Sequence, residues 1–166
     1  MGRKTVKVRP KNKLLERVRV VTQILFMSAP FLLIFMVKMN PDLKGLDFQT
    51  IIETHPVILI SLMRLCCLPF MAYILYKMDY YTQSVVNDWA VMLSLFLLIA
   101  SLLLLGQVYF AALIVALIFA FSNKVTLKWQ ELKETPKRDL LKQCIPSLVM
   151  LLVSILIFVV AKRVGL

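Results

Sequence analysis

Between Trp89 and Phe121 the chain runs 33 residues without one charged side chain. A run like that, repeated in shorter form elsewhere, marks a chain dissolved largely in lipid. There, each helix satisfies its own amides internally. Composition agrees. The 166 residues are 60% hydrophobic with a mean hydropathy of +0.82, where a soluble domain holds about 45–50% apolar residues. The expected fold is an all-α, polytopic membrane helical bundle forming one compact unit.

The 33-residue run is too long to be one span. As a single helix it measures roughly 50 Å, against a hydrocarbon core of about 30 Å. Near its middle stand Gly106, Gln107 and Tyr109. Glycine accepts the left-handed conformation that ends helices, and the other two suit an interface. The run therefore reads as a hairpin, with arms over 89–105 and 108–121 and Asn87 or Asp88 as cap. The remaining spans are 20–37, 55–76 and 144–161, giving five transmembrane helices, or four if the run stays unbroken.

Charge separates the two counts. The positive-inside rule compares Lys and Arg on the two faces. With five spans, one face holds eight bases of the amino-terminal arm 1–19, Lys77 and six bases in 122–143, fifteen in all. The other holds Lys38, Lys44, Lys162 and Arg163. With four spans the division falls to eleven against eight. Five spans with a cytoplasmic amino terminus and an outer carboxyl tail 162–166 give the sharper asymmetry. The basic arm is long and no small-x-small cleavage site follows the first apolar core, so the first span reads as an uncleaved signal anchor.

The loops carry local signals. Asn40-Pro41 closes the first span with a turn, and 38–54 reads as a polar loop. Thr54 is placed to cap the second span with Pro56 in its first turn, and Thr50 with Glu53 is an alternative capping box. Tyr76, Lys77, Asp79, Tyr80 and Tyr81 mark a membrane boundary. In 122–143, Val125, Trp129 and Leu132 recur at helical spacing. This implies an amphipathic piece near the headgroups, with Lys124, Lys128, Trp129, Lys137 and Arg138 as candidate membrane-surface contacts. Thr135-Pro136 is a helix-start signal. Pro30, Pro69 and Pro146 fall within or near the mouths of spans, where each frees a carbonyl.

The net charge of +11 would raise nucleic-acid binding in a soluble protein. Here the bases lie between apolar spans, so orientation and anionic lipid explain them, and no nucleic-acid partner is expected.

Catalytic chemistry is not legible. The three cysteines, Cys66, Cys67 and Cys144, have no metal or disulfide spacing, and His55 is the single histidine. No phosphate loop, HExxH or nucleophile elbow occurs. Neither an enzyme nor a metal or cofactor is expected. Acids are confined to loops, which argues against a proton-coupled carrier.

Arg64 is the most informative residue. It lies near the middle of the span ILISLMRLCCLPFM. A charge at that depth costs about 2.5–3.5 kcal/mol on insertion scales, and no span supplies an acid. The available neighbours are Ser61, Gln23, Gln107 or Ser94, carbonyls freed by Pro69, a lipid phosphate, or an acid on another protein. Arg64 is therefore the candidate contact to a partner or to lipid. A small, non-enzymatic accessory, scaffold or regulatory subunit of a larger membrane complex is the expectation. Its partners would be another membrane protein and an anionic bilayer. The alternatives are a transport or channel component lined by Arg64, Gln23 or Gln107, and an immunity-type protective protein. The Ile/Leu/Lys-rich, glycine-poor composition points to a multi-pass protein of a bacterial plasma membrane.

Overall fold

A computed structural model describes residues 13–41, 47–82, 88–122 and 137–165. These residues are 93% helical, with no strand among them. Six helices follow in order: α1 (Lys13–Met39), α2 (Phe48–Thr54), α3 (Pro56–Thr82), α4 (Asp88–Leu104), α5 (Val108–Ser122) and α6 (Lys137–Arg163). Three contain stretches long and apolar enough to cross a membrane: Leu15–Met39, Pro56–Met78 and Cys144–Arg163. The arms α4 and α5 are apolar but shorter, 17 and 15 residues, or about 26 and 22 Å.

The five long elements close a ring in the order α1, α3, α6, α4, α5 and back to α1, and α3 also touches α4 across it. Leu68, Met71 and Leu75 of α3, Leu95, Leu98 and Leu102 of α4, Ile114 of α5 and Phe26 of α1 fill the interior. Outward faces stay apolar, with Phe31, Phe35, Phe70, Phe96, Phe119 and Leu156 all exposed. A water-soluble bundle could not carry that much bare hydrocarbon, whereas lipid solvates it.

Lipid removes the hydrophobic drive between helices, so close packing must hold them together, and small residues permit it. The α4–α6 seam shows this. Ala90, Ser94 and Ser101 on α4, with Cys144, Ser147, Ser154 and Ala161 on α6, are all buried. Ser94 and Ser101 lie seven residues apart, as do Ser147, Ser154 and Ala161, so each set repeats along one face. Ser101 and Ser154 donate to the carbonyls of Leu97 and Met150 one turn earlier, at 2.9 and 2.8 Å. The Cys144 thiol lies 3.8 Å from the Ala90 carbonyl and 3.6 Å from the Ser94 hydroxyl. The seam is therefore parallel, with residues 90–94 level with 144.

Several loop expectations need correction. Residues 48–54 form α2 rather than open loop, because Ile51 finds an apolar seat against Val37, Leu33 and Ile58 at the ends of α1 and α3. Thr54 does not cap α3. Its hydroxyl donates back to Thr50 O at 2.7 Å and finishes α2, and the His55 carbonyl accepts the Ile58 amide at 3.0 Å in the first turn of α3. Thr50 and Glu53 form no capping box, since both lie inside α2 and Glu53 accepts from the Gln49 amide. Pro30 and Pro69 sit inside continuous helices, as does Pro146. α6 starts at Lys137, just after the Thr135-Pro136 signal. The amphipathic stretch with Lys124, Lys128 and Trp129 and most of the amino-terminal arm lie outside the described residues.

Candidate functional site

The site begins with the turn between α4 and α5. Gly106 has φ +73°, the left-handed conformation that only glycine enters without strain. Its amide donates to Leu103 O at 3.0 Å, and the next amide, Gln107, donates to Leu102 O at 2.8 Å. This paired closure is the Schellman motif. Gln107 O then accepts the Ala111 amide at 3.0 Å and opens α5. The motif serves two of the four carbonyls that a helix end leaves open. The carbonyls of Leu104 and Leu105 remain at the tip, where the helix dipole places roughly half a negative charge.

Arg64 meets this tip. A methyl group placed on Gly106 would lie 3.9 Å from Nη1 of Arg64. The side chain is half-buried, and its Nε is fully enclosed without a hydrogen-bond partner. The guanidinium therefore rests at the negative end of α4. A cation at a partly buried helix terminus gains up to about 2 kcal/mol, short of the roughly 2.5–3.5 kcal/mol that mid-membrane placement costs. The helix end offsets the charge only in part.

The turn is recessed. Taking the end with Met39, Pro56 and Arg163 as upper, the Phe26 and Phe110 rings meet edge to face at 5.2 Å. From Phe26, α1 rises about 20 Å to Met39, while Gly106 lies only about 6 Å above Phe110. From Cys144, α6 rises about 28 Å to Arg163, whereas α4 from Ala90 rises about 21 Å. α3 rises about 12 Å from Arg64 to Pro56. The three long helices thus overtop the turn by on the order of 10 Å. Among the described residues the turn stays open: Gly106 is exposed, and Val108 and Tyr109 are 61% and 89% exposed.

The other predicted polar residues are dispersed. Gln107 adjoins the Arg64 site through Gly106, and Ser61 precedes Arg64 by one helical turn. Gln23 does not join them. It opens on a separate groove of about 560 Å³ between α1 and α3, lined by Met27, Pro69, Phe70, Tyr73 and Tyr76. Tyr73 lies nine residues, about 13 Å, below Arg64 on α3. The Gln23 Nε2 atom is buried without a partner there. Ser94 belongs to the α4–α6 seam. Lys137 and Arg138 occupy the first turn of α6 at the lower end. No metal-binding group of His, Cys, Asp or Glu forms among the described residues. Sequence reasoning placed Gly106 at a hairpin but did not connect it to Arg64, because pairing a mid-span charge with a helix tip requires knowing how far the hairpin penetrates.

No family model, curated protein or solved structure matches the chain.

Proposed function

We propose that this chain is a non-enzymatic accessory or scaffold subunit of a larger membrane assembly. The observation that carries the reading is Arg64, a membrane-depth cation with an unpartnered Nε at an exposed, recessed turn. Its energetic deficit favours completion by another molecule. In the proposed topology the five apolar helices lie in a bacterial plasma membrane with the lower end cytoplasmic. The 15-to-4 charge asymmetry supports this orientation. The exposed bases Lys13, Arg17 and Lys77 at the lower end, with Lys137 and Arg138, suit an anionic inner leaflet. Lys124, Lys128 and Trp129, outside the described residues, are the further lipid contacts that the sequence offers to this reading.

A transport path through a single chain fits less well. It needs polar groups stacked along one axis, whereas Gln23 and Arg64 open on different parts of the bundle. The accessory reading is tested in the native membrane with a photoreactive residue at Val108 or Tyr109. The expected result is one discrete adduct with a second protein, and a complex heavier than the monomer in mild detergent. Arg64→Leu should abolish both. A monomer with no adduct would overturn the reading.

A further inference from the structure

We propose that the space above the α4–α5 turn receives a transmembrane helix of another protein, and that an Asp or Glu on this helix pairs with Arg64. The inference rests on the accessory-subunit reading and names the chemistry of its partner. Three observations converge. The first is shape. The ring of five helices is closed only up to Gly106; above that level α1, α3 and α6 stand without the hairpin that covers them below, and α2 is seated on the ends of α1 and α3. The turn itself is bare at Val108 and Tyr109. The projecting turns of α1 and α6 carry exposed apolar side chains, Leu32, Phe35 and Met36, and Phe158, Val159 and Val160, which continue the lipid-facing stripes of the same helices lower down. That is a surface for an apolar helix.

The second observation is charge. The chain carries +11 overall, and all nine of its acids lie outside the apolar spans 56–78, 89–121 and 144–161. No carboxylate of this chain is placed in sequence to neutralise Arg64 at its depth. The third is position. Arg64 lies three residues, about 4.5 Å, from the midpoint of the Pro56–Met78 span, inside the hydrocarbon. A phospholipid phosphate sits at the headgroup level, above the apolar turns that overtop Gly106. A helix, by contrast, can present a carboxylate at any depth while covering those turns. A guanidinium–carboxylate pair is planar, charge-assisted and strongest where water is excluded.

The test uses the full chain in nanodiscs of phosphatidylcholine, with a synthetic Leu/Ala transmembrane peptide as probe. One peptide carries a single Glu three residues above its midpoint, a second Gln and a third Leu at that position. Association is read by energy transfer, and location by crosslinking from a photoreactive residue at Tyr109. The Glu peptide should bind about tenfold or more tightly than the other two and be the one crosslinked. Arg64→Gln should remove the difference and Arg64→Lys should keep part of it. Because the peptide series leaves the protein unaltered, a folding defect in a variant cannot mimic the result. Equal binding of the Glu and Gln peptides would overturn the inference. So would displacement of the Glu peptide by phosphatidylglycerol, which would assign the anion to a lipid headgroup. If these failures occur while an Arg64-dependent complex persists in cells, the accessory role stands and the acidic-helix partner falls.

Discussion

At the scale of single residues, Gly106 and Arg64 define each other. The glycine is needed for its φ of +73°. Space does not demand it, since an added methyl would meet the Arg64 Nη1 at an ordinary 3.9 Å. Gly106→Ala should therefore cost about 1–2 kcal/mol through backbone strain alone. Gly106→Val should cost more, because a β-branched residue is worse still at positive φ. Unfolding in mixed detergent micelles measures both. If Gly106→Ala were as stable as the parent, the Schellman closure would not be holding the turn. The sequence made Arg64 visible because charges in apolar runs are rare and expensive. Its neighbour was invisible for a physical reason: 42 residues separate Arg64 from Gly106, and no local pattern records their approach.

At the scale of elements, the hairpin and the long helices were legible in the sequence. Apolar length, a central glycine and flanking bases are local quantities. α2 was missed because it is seven residues long and gains its order from Ile51 docking on α1 and α3. The α4–α6 seam was also missed, although a signal existed: serines at seven-residue spacing in two different helices. By sequence alone Ser94 reads as a polar group available to Arg64. Its burial against Cys144 shows a packing role instead. That role predicts a size rule. Ser101→Leu or Ser154→Leu should destabilise by about 1–3 kcal/mol through overpacking. Ser→Ala at the same positions should stay within about 0.5–1 kcal/mol, because the lost bond only returns a carbonyl to its own helix. Stability of the purified protein in mixed micelles distinguishes the two. A tolerated leucine at both positions would mean that α4 and α6 are not held by close approach.

At the scale of the whole molecule, two lengths of helix share one bundle. Three helices of 27 residues reach about 40 Å, past a core of about 30 Å. The α4 and α5 arms, at about 26 and 22 Å, fall short of it. Non-helical backbone at membrane depth persists only where protein or a polar cavity shelters it. The Arg64 guanidinium lies against Gly106 and meets this requirement only in part, since Val108 and Tyr109 stay exposed. The same geometry sets a reaction-rate prediction for single cysteines in a background with Cys66, Cys67 and Cys144 changed to alanine. Asn40→Cys, at the upper end of α1, should react rapidly with an impermeant maleimide applied from outside intact cells. Val108→Cys, about 18 Å lower, should react on the order of tenfold more slowly, since a thiol in apolar surroundings stays protonated and only the thiolate attacks. Equal rates would bring the turn to the outer surface. Labelling of Asn40→Cys only after the cells are opened would invert the bundle, placing its fifteen-base face outside.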